Sequence, residues 1–104
     1  MKIVKVTYTT NEEFAAQNQK NIESVMADLQ KLNTAGINYN ACLGADGKTF
    51  THTAFFKSGE DQKDLNALAS FKHFQEELKQ SHPETAPKQE LLNLAGSSCR
   101  IFNA

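Results

Sequence analysis

Residues 37–57 read Ile37-Asn-Tyr-Asn-Ala-Cys-Leu-Gly-Ala-Asp-Gly-Lys-Thr-Phe-Thr-His-Thr-Ala-Phe-Phe-Lys57. Two alternating segments meet at Asp46-Gly47, a pair whose residues both tolerate positive φ, as a two-residue type I′ turn requires. The stretch is therefore expected to form a β-hairpin in which Ala45 pairs with Lys48. Going outward, Leu43 then faces Phe50, Ala41 faces His52, Tyr39 faces Ala54 and Ile37 faces Phe56, all on one side of the sheet. The period of two places Asn38, Asn40, Cys42, Thr49, Thr51, Thr53 and Phe55 on the other. One face is oily and suited to a cover of helices. The other is polar without being charged, and either meets water or lines a cavity.

Upstream, Met1 to Thr10 is rich in β-branched residues and alternates, with Val4, Val6 and Tyr8 on one side and Ile3, Lys5 and Thr7 on the other, so it reads as a first strand. Thr10 with Glu13 fits a capping box, and Asn11 is an alternative N-cap. Phe14, Ile22, Val25, Met26, Leu29 and Leu32 then recur at helical spacing among polar residues, which predicts an amphipathic helix. Gly36 is suited to a left-handed residue just past its end.

Downstream, Ser58-Gly59-Glu60-Asp61 is a turn, with Asp61 or Ser58 able to cap a second helical region. Leu65 and Leu68 mark one helical stripe; Phe71, Phe74 and Leu78 mark another out of phase with it. The spacing predicts a short helix, a kink near Ser70 and a longer helix to about Gln80. Ser81 to Lys88, with Pro83 and Pro87, reads as a surface loop. Leu91, Leu92, Leu94, Cys99, Ile101 and Phe102 predict a last strand interrupted by a bulge at Ala95-Gly96-Ser97.

The order β-α-β-β-α-β is the split βαβ, ferredoxin-like arrangement, an α+β class whose antiparallel sheet runs 4-1-3-2. A chain of 104 residues is expected to be one domain, residues 1–104, with a single core. Eleven basic and 12 acidic side chains leave no electrostatic footprint for nucleic acid or an anionic membrane. An early first strand leaves no room for a leader, and no apolar run reaches spanning length, so a cytoplasmic address is expected. Cys42 and Cys99 have no metal-ligand spacing. In that sheet order they would lie on opposite edges, roughly 14 Å apart, too far for a bond within one chain but not between chains.

The run Ala54-Phe55-Phe56-Lys57, through Glu60-Asp61 and Leu65-Asn66-Ala67-Leu68-Ala69-Ser70 into Phe71-Lys72-His73-Phe74-Gln75-Glu76-Glu77-Leu78, resembles small members of the dimeric α/β-barrel superfamily, near the antibiotic-biosynthesis monooxygenase-like and stress-responsive barrel families. The resemblance implies a homodimer packed sheet on sheet, with Asn38, Asn40, Thr51, Thr53 and Phe55 turned into the barrel as substrate-binding residues. It also implies a small aromatic or apolar ligand. Family activities include oxygen insertion into polycyclic phenols without metal or flavin, quinol oxidation and haem degradation. The haem-degrading branch relies on an Asn, a Trp and a helix His. This chain has no Trp, and Leu78 or Gln75 stands where that His would fall.

Among individual side chains, His52 between Phe50 and Ala54 reads as a buried neutral imidazole, and Tyr39 as a core residue whose hydroxyl needs a partner. Tyr8 is placed at a cavity rim. His73, at the start of the longer helix, is the candidate acid or base. Arg100, the only Arg, pairs with an acid or reaches an anionic ligand. There is no Gly-rich phosphate loop, paired carboxylate or metal spacing, so neither metal nor cofactor is expected. The sequence supports three readings: a cofactor-independent monooxygenase acting on a phenol or quinol, a non-enzymatic stress-responsive dimer, and a small-metabolite isomerase using His73.

Overall fold

Strand β1 (Lys2–Thr9) leads through a 3-10 turn (Glu12–Phe14) into helix α1 (Ala15–Leu32). Strands β2 (Ile37–Leu43) and β3 (Thr49–Phe56), helices α2 (Gly59–Ala67) and α3 (Ala69–Gln80), and strand β4 (Thr85–Leu92) complete the order. The computed structural model describes residues 1–102. The four strands order β2-β3-β1-β4 and pair antiparallel throughout. This is the ferredoxin-like sheet, read from its other edge. No helix among the described residues is long and apolar enough to cross a membrane.

The hairpin has the expected register, Ile37 opposite Phe56 through Leu43 opposite Phe50, but its turn differs. Only Gly47 has positive φ, at 76°. The Gly44 N–H donates to the Thr49 carbonyl at 2.7 Å and the Gly47 N–H to the Gly44 carbonyl at 3.0 Å, so residues 45–48 form a four-residue loop. Asp46 does not take positive φ, and its carboxylate serves as an acceptor, taking the Lys48 and Thr49 N–H groups and the Thr49 hydroxyl. The Thr49 hydroxyl first, and those backbone donors next, hold the Asp46 carboxyl at about 2.

Competition between neighbouring groups decides the other local signals. Asn11, not Thr10, caps the first turn, its side chain accepting the Phe14 N–H at 2.9 Å. Thr10 is fully buried and donates to the Lys48 carbonyl. The left-handed residue after α1 is Asn33, with φ 50°, its N–H returning to the Leu29 carbonyl; Gly36 is not left-handed. Asn tolerates that conformation, so the helix ends as soon as its apolar stripe does. Gly36 serves close approach instead, since a Cβ there would collide with the Asp61 carboxylate. That carboxylate accepts the Ser58 N–H at 3.0 Å in a capping box that starts α2. The break between α2 and α3 falls at the extended residue Leu68, two residues before Ser70.

The last strand lies earlier than expected. It covers Thr85–Leu92, including Pro87, whereas residues 93–102 form no regular element. Cys99 and Arg100 are therefore not on a strand. Backbone pairing to the open edge of β1 decided the outcome, not side-chain alternation. The proline is tolerated because β4 is an edge and because the register shifts between Thr7 and Thr9, a bulge that sets Ala86 and Pro87 against Tyr8.

All helices cover one face. There Val4, Tyr8, Phe50, Ala54 and Phe56 of the sheet meet Ile22 and Val25 of α1, Leu65 of α2, and Phe71, Phe74 and Leu78 of α3. The opposite face carries exposed Asn38, Asn40 and Cys42 and half-buried Thr51, Thr53 and Phe55, with Ile3 buried among them.

Candidate functional site

Helix α3 presents Phe71, Phe74, Gln75, Leu78 and Lys79 along one side, the 3-4-7-8 spacing of a single helical face. Each strand contributes to the opposing wall: Tyr39 from β2, His52 from β3, Val6 and Tyr8 from β1, and Ala86 and Pro87 from β4, with Pro83 just before it. Together they enclose a cavity of about 430 Å³. A smaller cavity of about 120 Å³ borders it, sharing Val6, Tyr39, His52, Phe71 and Gln75. The larger cavity is apolar over most of its wall, with two polar regions. The deep one is formed by Tyr8, His52 and Tyr39. The shallow one is formed by Gln75 and Lys79, both exposed.

The deep polar region is a continuous hydrogen-bonded chain. Asn18 of α1 donates its Nδ2 to the Tyr8 hydroxyl at 2.8 Å. Tyr8 Oη lies 2.7 Å from His52 Nε2, and Tyr39 Oη lies 2.7 Å from His52 Nδ1. Phe50 stacks on Tyr8 with centroids 5.5 Å apart, and Phe74 lies 5.3 Å from the imidazole. Burial pushes the His52 imidazole down to about 4, so the ring is neutral at neutral pH. Burial also holds both tyrosines above the ordinary phenol range; the Asn18 bond opposes this for Tyr8, and neighbouring Tyr8 adds to it for Tyr39.

A neutral imidazole has one N–H and one bare nitrogen, so one tyrosine donates to it and the other accepts from it. Tyr8 is 1% exposed and already accepts from Asn18. Donating its hydrogen to Nε2 completes its bonding, whereas accepting there would strand a buried O–H. The favoured tautomer therefore carries its proton on Nδ1 and gives it to Tyr39 Oη. This leaves the half-buried Tyr39 O–H as the donor free to meet a ligand. At the far end of the chain, Asn18 Oδ1 is buried without a hydrogen-bond partner among the described residues.

Of the residues assigned from sequence to catalysis or substrate binding, only Tyr8 lines this cavity, and it lies 1% exposed at the deep end rather than at a rim. Asn38 and Asn40 stand on the outer face, exposed and bonded to each other at 2.9 Å. Thr51, Thr53 and Phe55 share that face, half-buried. His73 is outside the cavity wall, 3.2 Å from Glu77 on the exposed side of α3; Glu77 also accepts from Asn21 at 2.8 Å, tying α3 to α1. Arg100 lies by a shallow hollow formed with Met1, Leu94 and Phe102. Sequence reasoning does not single out Tyr39, His52 or Asn18 as site residues. The signal they carry is a shared side: alternation places both tyrosines and His52 on the oily face, and Asn18 falls four residues before Ile22 in the apolar stripe of α1.

Compared by sequence, the chain matches no protein-family model and no curated protein. Compared by structure, it is similar to a crystallised antibiotic biosynthesis monooxygenase, with a TM-score of 0.76 at 9% identity over 92% of this chain and 100% of the other. Rv0793 from Mycobacterium tuberculosis superposes with a TM-score of 0.76 at 8% identity, covering 94% of this chain and 98% of its own. A mutant of SnoaB, a cofactor-independent oxygenase from Streptomyces nogalater, gives 0.68 at 10% identity over 95% and 98%. At such identities the likeness is one of fold, and the fold is that of the antibiotic biosynthesis monooxygenase-like proteins.

Proposed function

We propose that this chain binds a phenol or quinol in the cavity beneath α3 and passes it to molecular oxygen, the substrate itself supplying the electrons. The observation that carries this reading is the Tyr8–His52–Tyr39 chain at the deep end of an otherwise apolar cavity. Apolar walls take the rings, and the free Tyr39 O–H meets a phenolic or carbonyl oxygen. The oxygenase chemistry is suggested by what SnoaB is described as doing on the same fold.

In the other His52 tautomer, Tyr39 donates to bare Nδ1 and its oxygen accepts the substrate's proton, so a proton leaving the substrate ends on the imidazole. A substrate anion formed alongside raises the imidazole from its resting value, because an adjacent opposite charge favours the protonated ring. The anion then reduces oxygen. For an anthrone, the ring CH2 gives up both hydrogens, one oxygen atom becomes the new carbonyl and the other leaves as water.

The reading includes a homodimer in which a second copy covers the outer sheet face, with Asn38, Asn40, Thr51, Thr53 and Phe55 lining the closure between subunits. The half-buried Thr51, Thr53 and Phe55 beside buried Ile3, uncharged at the centre of a face whose β1 and β4 side carries Lys5, Lys88 and Glu90, support it. Sedimentation of the wild type as a dimer and of Phe55→Glu as a monomer is the expected result.

Oxygen uptake with a hydroxyanthrone or quinol tests the chemistry. The protein is expected to accelerate uptake, and Tyr39→Phe to lower kcat by on the order of tenfold to a hundredfold. Uptake at the buffer rate across both substrate types overturns the enzymatic reading. One observation favours a second reading, a binder without turnover: both ring nitrogens of His52 are engaged and its pKa is low, which makes it a poor place to leave a proton. In that case ligand binds and oxygen is not consumed.

A further inference from the structure

The buried hydrogen-bonded chain ends on an amide that offers more than the chain uses. Asn18 is 0% exposed, donates its Nδ2 to the Tyr8 hydroxyl at 2.8 Å, and keeps its Oδ1 buried without a hydrogen-bond partner among the described residues. An amide has a donor end and an acceptor end of nearly equal size. A half-turn about the Asn18 Cβ–Cγ bond sets Oδ1 where Nδ2 now stands, facing Tyr8 Oη.

Each setting of the amide fixes every hydrogen beyond it. With Nδ2 against Tyr8, the Tyr8 O–H goes to His52 Nε2, the ring proton sits on Nδ1 and goes to Tyr39, and the Tyr39 O–H is left for the ligand. With Oδ1 against Tyr8, the Tyr8 O–H goes to Asn18, and Nε2 carries the ring proton and gives it to Tyr8 Oη. Bare Nδ1 then takes the Tyr39 O–H, and Tyr39 meets the ligand as an acceptor.

We infer that Asn18, which does not itself line the cavity, is the positioning residue that sets whether the cavity's deep end donates or accepts a hydrogen bond. Its part in turnover rests on the proposed function. A substrate proton passes through Tyr39 only to a bare Nδ1: it bonds to Tyr39 Oη as the former Tyr39 proton bonds to Nδ1, leaving an imidazolium and a substrate anion. An imidazolium donates from both nitrogens, so the Tyr8 O–H loses Nε2 as its acceptor. Asn18 Oδ1 is the oxygen placed to take it, which gives the idle buried acceptor a use.

The test reads the ring nitrogens of His52 by NMR in the full chain labelled in histidine, without substrate; the His52 signals are those missing from His52→Gln. Wild type is expected to carry its proton on Nδ1. Asn18→Asp, in alkaline buffer where the carboxylate is ionised, presents only acceptors and shifts the proton to Nε2. A wild-type ring protonated on Nε2, or a folded Asn18→Asp variant with the wild-type pattern, overturns the inference. If Asn18→Asp does not fold, Asn18→Leu decides: with no oxygen left for the Tyr8 O–H, its His52 is expected to protonate at lower pH than in wild type, and equal midpoints overturn the inference. Oxygen uptake at the buffer rate alongside the expected nitrogen signals overturns the enzymatic reading and leaves the control by Asn18 standing.

Discussion

Both faces of the sheet carry hydrogen-bonding side chains and treat them in opposite ways. On the inner face, Tyr8, His52 and Tyr39 sit among phenylalanines and join in one chain with Asn18. On the outer face, Asn38 and Asn40 bond each other in the open. A buried polar group without a partner costs on the order of 1–3 kcal/mol, while the same group in water costs little. The inner chain therefore constrains three strands and a helix at once, and the outer pair constrains almost nothing in the protomer. Polarity alone does not mark a site; polarity that the fold has had to satisfy in the core beside a cavity does.

The largest expected effect that tests this contrast is His52→Ala. It removes a side chain that is 4% exposed and orphans two tyrosine hydroxyls, so unfolding in urea should show a loss of about 3–5 kcal/mol. A loss near zero would break the contrast.

The next concerns pH. The folded pKa of His52, about 4, lies below its ordinary value of about 6.5, so the unfolded chain binds more protons between these limits. Its contribution to stability is fully present above about pH 6.5, declines as pH falls, and levels off below about pH 4 after a loss of order 3 kcal/mol. The difference in urea midpoint between wild type and His52→Gln, measured from pH 7 to pH 4, reads that contribution. A constant difference would show that the ring protonates freely in the fold.

Tyr8→Phe should cost less, about 1–3 kcal/mol, by stranding the Asn18 amide and His52 Nε2 while preserving the ring stack on Phe50. Its thermal midpoint should fall clearly below that of the wild type. Asn38→Ala and Asn40→Ala should change stability least, within about 0.5 kcal/mol. A concentration-dependent loss well beyond this would sharpen the comparison, placing the outer amides under a second copy.

Much of the fold was legible because its signals are local. Alternation gave the hairpin register and the two faces, and the phase change between Leu68 and Phe71 gave the break between α2 and α3. Less was legible where competing partners decided the outcome. Asp46 abandoned the tight turn for three hydrogen bonds, Asn33 ended α1 ahead of Gly36, and Pro87 entered a strand because a bulge on an edge excused its missing donor. The site was harder still. His52 and Tyr39 could each be assigned to the inner face and Tyr8 to a cavity rim, but a lone polar side chain on an oily face reads as core until its neighbours across the sheet are known.

The sequence by itself determined which residues share a face, since side-chain direction comes from strand and helix periods that need no knowledge of the rest of the chain. Only the tertiary structure decided which polar groups bond one another, and that the cavity opens between α3 and the sheet. Hydrogen bonds of 2.7 Å between residues up to 44 positions apart depend on strand order, register and helix placement together.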